Sequence, residues 1–127
     1  MSFLKNFNNA QSDGLVSTWI PLTEVDKVSQ IIDQSKDKKI AFFKHSTRCG
    51  ISVGVKTDLE SQWEIDADEI DFYYVDLLNH RDVSNAIAEQ TGVTHQSPQL
   101  IVMQDGKVIK SITHFAINYQ ALEESLV

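Results

Sequence analysis

A chain of 127 residues with 42% hydrophobic side chains is most economically one domain around a single core. Eleven basic residues against eighteen acidic ones leave a net charge of -7, which repels nucleic acid and anionic membrane, and no local cluster of basic residues offsets it. A single cysteine, Cys49, excludes an intrachain disulfide, so the chain is neither a disulfide-stapled secreted domain nor a self-contained dithiol oxidoreductase.

Residues 1–14 are rich in Asn, Ser and Gln, with Phe3, Leu4 and Phe7 as their large apolar side chains, and read as a flexible extension to a domain spanning residues 15–127. No signal peptide or membrane-length apolar run is expected, and a reducing cytoplasm is the natural compartment. Leu15 to Ile20 reads as a first strand that Pro21 stops. Thr23 offers an N-cap to a helix reaching about Gln34, with Val25, Val28, Ile31 and Ile32 on its apolar face. Lys36, Lys38 and Lys39, interrupted by Asp37, form a solvated connection.

Ile40 to Phe43 is a near-continuous apolar run, as expected of a strand buried on both faces, and Lys44 to Thr47 break it. From Cys49 onward the spacing becomes helical, with Ile51, Val55, Leu59 and Trp63 in one stripe. The acidic run Glu64, Asp66, Asp68, Glu69 and Asp71 lacks the glycine and distal glutamate of a calcium loop and reads as a solvated connection. Phe72 to Val75 is β-branched and aromatic, a third strand. Asn79 can cap a helix carrying Val83, Ala86 and Ile87, which Gly92 can end.

After the polar connection from Val93 to Pro98, Gln99 to Gln104 and Lys107 to Ile112 are joined by Asp105-Gly106, a strong signal for a two-residue hairpin. Phe115, Tyr119, Leu122 and Leu126 recur at helical spacing and predict a closing helix whose stripe faces the sheet. The resulting order, with right-handed crossovers placing the strand before Cys49 near the centre, is that of a thioredoxin-like α/β fold: a central mixed sheet flanked by helices on both faces.

Cys49 then lies where a strand ends and a helix begins, the region in which open α/β sheets place ligands. The helix N-terminus and the cation of Arg48 both favour the thiolate, the attacking species in disulfide exchange. Ser52 occupies the place of the resolving cysteine in a C-x-x-C pair; its hydroxyl can donate to the thiolate but cannot close a disulfide. Pro98 precedes the fourth strand. The four histidines, His45, His80, His95 and His114, fall on different elements without metal-ligand spacing and read as surface or helix-start residues, with His45 also a candidate base for Cys49. No metal site is expected, and Trp19 and Trp63 are read as packing residues.

The segment HSTRCGIS from His45 to Ser52, the SPQ of Ser97 to Gln99 and the hairpin at Asp105-Gly106 resemble the monothiol bacilliredoxin family, over roughly Thr23 to Leu126. The resemblance implies that Cys49 exchanges with mixed disulfides of bacillithiol. The small thiol is then a co-substrate, no cofactor is held, and the partners are bacillithiolated proteins. Arg48, Gly50, Ser97 and Pro98 are the expected substrate-binding residues. Resemblance to thioredoxin-fold proteins further implies a cis bond at Pro98, beside Cys49, with the Ser97 backbone open to an extended substrate. Family members usually carry proline after the cysteine, whereas Cys-Gly-Ile-Ser here is also similar to the Cys-Gly-Phe-Ser of monothiol glutaredoxins, some of which hold iron-sulfur clusters. Cluster binding is therefore the alternative reading.

Overall fold

The computed structural model describes residues 16–127. Its elements are β1 (Trp19–Pro21), α1 (Asp26–Gln34), β2 (Ile40–His45), α2 (Gly50–Gln62), β3 (Asp71–Asp76), α3 (Arg81–Thr91), β4 (Gln99–Gln104), β5 (Lys107–Thr113), a 3-10 turn (His114–Ala116) and α4 (Tyr119–Glu124). The extension expected over 1–14, and Leu15, lie outside the described residues.

The strands form one sheet in the order β1-β3-β2-β4-β5. β1 and β2 run parallel to β3, while β4 is antiparallel to both β2 and β5, which gives the mixed thioredoxin-like sheet expected from the element order. β2 is its central strand. Alternation along β2 divides the core into two. Ala41 and Phe43 face a layer with Trp19, Phe72, Val55 and Leu59 of α2, and Leu122 of α4. Ile40 and Phe42 face the opposite layer, with Val28 and Ile31 of α1 and Val83 and Ile87 of α3. A strand covered by helices on both faces has no polar alternation, which is why residues 40–43 read as an unbroken apolar run.

Trp19 and Trp63 meet edge to face with ring centroids 5.3 Å apart, and each lies 4.8 Å from the Phe72 ring, so both act in packing. The hairpin is held from below. Both of its turn residues have positive φ, 56° at Asp105 and 76° at Gly106, as its two-residue loop demands. Asp105 N–H donates to the Ser35 carbonyl at 2.7 Å and Gly106 N–H to Ser35 Oγ at 2.9 Å, fastening the turn to the end of α1. The acidic connection after α2 carries exposed carboxylates at Glu64, Asp66, Asp68 and Glu69, and Asp71 opens β3 in an ion pair with Lys38 at 2.9 Å.

Several expected boundaries shift. β1 is Trp19–Pro21, and Pro21 ends the strand from within, as an edge strand paired on one side allows. Thr23 does not cap α1: the helix starts at Asp26 after Val25, without a side-chain cap. Asn79 does not cap α3; its Nδ2 donates to Asp76 Oδ2 at 2.8 Å, and His80 holds the cap position. Gly92 ends α3 in the left-handed region, at φ 76°.

The largest difference lies after β5, where the single closing helix becomes two pieces. Asn118 interrupts it, since its side chain accepts the Ala121 N–H at 2.8 Å and starts α4 afresh. Phe115 consequently falls in the 3-10 turn and is 77% exposed, while Tyr119 and Leu122 remain buried. Replacing Asn118 by Ala should lower the unfolding free energy by about 1 kcal/mol. A urea melt of the two proteins, in which the midpoint falls without a change of slope, checks this.

Candidate active site

The site is built at the end of β2. Two residues read as the start of a polar break, Lys44 and His45, instead continue the strand and are buried, Lys44 at 0% and His45 at 2% exposure. The chain then turns. Ser46 Oγ accepts the Arg48 N–H at 3.3 Å, the Ser46 carbonyl accepts the Cys49 N–H at 3.2 Å, and the Cys49 carbonyl accepts the Val53 N–H at 3.0 Å as the first bond of α2. Cys49 is thus the N-cap residue of α2, in extended conformation, with a free and partly exposed thiol. Arg48 and Gly50 on either side are exposed, and the space a Cβ at Gly50 would enter is open to 4 Å.

Ser52 is fully buried. Its Oγ accepts the Ser46 N–H at 3.0 Å and lies 2.6 Å from His45 Nδ1. A hydroxyl oxygen accepts two hydrogen bonds and donates one, so which group donates across the Ser52–His45 contact follows the His45 tautomer. The sequence reading aimed the Ser52 hydroxyl at the Cys49 thiolate; in the structure that hydroxyl is engaged with His45 and the Ser46 amide, and it ties the first turn of α2 to the end of β2. The reading of His45 as a surface residue is corrected, since its side chain is buried. Burial pushes the ring down to about 4, with the nearby Lys56 charge in the same direction and the Ser52 backbone and the Asp76 charge opposing. A ring held that low is a weak base for a thiol, and its contacts are those of a polar clamp.

Ser97 and Pro98 lie at the same end of the sheet as the Cys49 turn. In the antiparallel register Gln99 opens β4 opposite Lys44, so the residues before Gln99 and the residues after His45 leave adjacent strands together. The Ser97-Pro98 bond is cis, as expected. Pro98 is buried and its carbonyl accepts the His114 N–H at 3.1 Å, while Ser97 Oγ is buried without a partner among the described residues.

Sequence reasoning missed a second polar group at this end. Lys44 Nζ donates to the Ser84 carbonyl of α3 at 3.1 Å and lies 3.3 Å from His95 Nδ1; Ser84 Oγ lies 3.1 Å from the same nitrogen. Burial pushes Lys44 down to about 8. His95 is lowered as well, by burial first and then by the Lys44 and Arg81 charges. The available signal was parity: Lys44 is two residues beyond Phe42 and so faces the buried α1/α3 side.

Residues 20–122 match the sequence profile of the monothiol bacilliredoxin BrxC family. The chain belongs to the monothiol bacilliredoxin family. Among solved structures it is similar to a candidate oxidoreductase with a thioredoxin fold, at 28% identity and a TM-score of 0.68 over 85% of this chain and 93% of that one. The oxidised form of mitochondrial thioredoxin 3 from Saccharomyces cerevisiae (24% identity, TM-score 0.63, 87% and 94% covered) and Fasciola hepatica thioredoxin (20%, 0.62, 84% and 95%) share the fold. Family and fold together make this a thiol redox protein. No group of three or more His, Cys, Asp or Glu among the described residues could hold a metal ion, and none of the described helices is long and apolar enough to cross a membrane.

The neutral, buried His45 sets an acid limit on the bacilliredoxin fold. Below pH 6.5 the unfolded chain takes up a proton at this histidine, whereas the folded chain refuses it until about pH 4. Stability therefore falls as pH drops through that window, by up to about 3 kcal/mol. Urea midpoints measured at several pH values between neutral and acid should show a steeper decline for the wild type than for His45→Gln, which lacks this titration.

Proposed function

We propose that this bacilliredoxin removes bacillithiol, or a similar small thiol, from mixed disulfides on oxidised proteins through Cys49, in a reducing cytoplasm. The observation that carries the reading is the placement of the single cysteine. Its thiol is partly exposed at the start of α2, and the residue three positions on, Ser52, is a buried hydroxyl with no sulfur to offer.

The Cys49 thiolate attacks the small thiol's sulfur in the mixed disulfide. That S–S bond breaks, the protein sulfur leaves as thiolate and takes a proton, and a disulfide between Cys49 and the small thiol forms. A second small-thiol thiolate then attacks the small-thiol sulfur of this adduct. It releases the Cys49 thiolate together with the symmetrical small-thiol disulfide, which balances the two electrons.

The surroundings suit this exchange. Gly50 leaves the backbone beside Cys49 open to an approaching ligand. The Ser97 backbone, at the same end of the sheet, would pair with an extended substrate chain in this reading. Arg48, exposed and adjacent to the thiol, attracts the carboxylates of an acidic thiol such as bacillithiol.

Incubation with bacillithiol disulfide or glutathione disulfide, followed by intact-mass measurement, should give an adduct of one small thiol that is absent in Cys49→Ala. The thiol giving the faster adduct is the preferred partner. If neither forms an adduct, the exchange reading fails and a non-catalytic interaction module takes its place. A brown, dimeric product after reconstitution with iron, sulfide and an added thiol would instead favour cluster binding. Arg48→Glu should slow adduct formation with bacillithiol disulfide about tenfold, from charge reversal beside the thiol, and leave reaction with an uncharged disulfide unchanged. An equal rate with bacillithiol disulfide removes Arg48 from substrate binding.

A further inference from the structure

Lys44 is a fully buried cation with no carboxylate partner among the described residues. Such an ion is costly to bury, and an apolar side chain of similar volume is often tolerated as well or better. Its stability contribution therefore does not account for it, whereas its contacts have a direction. Nζ reaches Ser84 on α3 and His95 on the connection between α3 and β4. An ammonium can only donate, so the lone pair of His95 Nδ1 must face it, with the ring proton on Nε2. His95 lies two residues before Ser97 in the chain.

The connection is held a second time from the neighbouring strand. Gln99, opposite Lys44 in the register, donates from Nε2 to the Thr94 carbonyl at 2.9 Å. Two cross-strand neighbours at the end of the sheet thus reach the same short connection, Gln99 through the Thr94 backbone and Lys44 through the His95 ring. Both anchors precede Ser97 and Pro98 by only a few residues, and no other side chain of β2 makes a hydrogen bond to this connection. The side chain of His45, next along the strand, points to the other face and holds α2 through Ser52.

We infer that Lys44, acting through His95 and Ser84, is a positioning residue for thiol exchange, holding the connection from Val93 to Ser97 so that the Ser97 backbone stands ready for the substrate chain beside Cys49. The inference rests on the exchange reading above and adds to it a residue that touches neither thiol nor substrate. It separates two properties of the site. Intrinsic reactivity of Cys49 depends on the turn and on α2, both fastened by the His45–Ser52 clamp. Productive docking of a protein disulfide depends on the Lys44–His95 contact.

The test uses the full chain carrying Lys44→Met and three readouts. The first is exchange with a peptide whose single cysteine is in mixed disulfide with bacillithiol. The second is the rate of Cys49 alkylation by iodoacetamide, which needs no docking. The third is backbone amide hydrogen exchange over residues 93–97. The expected result is peptide exchange slowed about tenfold, carried by a raised KM, with alkylation unchanged and amide exchange over 93–97 accelerated. Peptide exchange at the wild-type rate overturns the inference. So does a parallel loss of peptide exchange and alkylation, which would mean that Lys44 acts on the thiol or on the whole fold. If the wild type itself exchanges with no disulfide, the functional reading fails separately, and unaltered amide exchange in Lys44→Met then overturns the positioning role on its own. Should Lys44→Met fail to fold, His95→Ala cuts the same contact from its partly exposed side and is judged by the same three readouts.

Discussion

Everything at the active end of this molecule depends on a strand that stays buried two residues longer than its apolar run. β2 is covered on both faces, and Lys44 and His45 continue it into the same dry environment. A buried polar group must find a partner or bear a desolvation penalty of about 1–3 kcal/mol. Because successive side chains of a strand point to opposite faces, the two partners are sought on opposite sides of the sheet. His45 finds Ser52 on α2, and Lys44 finds Ser84 and His95 beside α3. One strand end thereby fastens the helix that carries Cys49 and the connection that carries Ser97 and Pro98.

The two fastenings differ in kind. The His45–Ser52 bond joins neutral groups, and burial keeps the imidazole uncharged, so it holds without an ion to desolvate. Removing Ser52 would take from the buried His45 Nδ1 its partner and from the Ser46 amide its acceptor, which is the expensive way to lose a hydrogen bond. Lys44 is held by neutral acceptors against a strong desolvation that lowers its proton affinity. A hydrogen-bonded neutral pair suits a part that must not move, namely the turn presenting the thiol. An ammonium among neutral acceptors makes a contact whose strength varies with the charge on either partner, and it holds the connection that leads to Ser97 and Pro98.

What could be read from the residues follows from how local each signal is. The apolar run of β2, the stripe of Val55 and Leu59, Gly92 at a helix end and Asp105-Gly106 at a tight turn all carry their reasons within a few neighbours, and each takes the expected structure. Cys49 was legible because a strand-to-helix junction is a local event. The failures are tertiary. Asn79 has the chemistry of a cap but is drawn to Asp76, and the periodicity of Phe115 with Tyr119 is overruled by Asn118, whose side chain begins a new helix. Polarity at Lys44 and His45 signalled a loop because a sequence window cannot see Ser52, Ser84 and His95 folding in to meet them. The contacts of Ser52 with His45 and the Ser46 amide were illegible for the same reason.

Ser52 also explains how a thioredoxin-like framework becomes a one-thiol site without being loosened. In a C-x-x-C pair the second sulfur serves chemistry and sits at the first turn of the helix. Here the same position is fully buried and holds an oxygen bonded to the end of β2 and to the Ser46 amide. Oxygen makes shorter and stronger hydrogen bonds than sulfur, so the substitution converts a reactive position into a structural one. The thiol at Cys49 keeps its exposure and its place at the helix start, while the group that would have resolved its mixed disulfide is committed to the interior. No second sulfur stands beside Cys49 among the described residues, and its neighbours Arg48 and Gly50 are exposed.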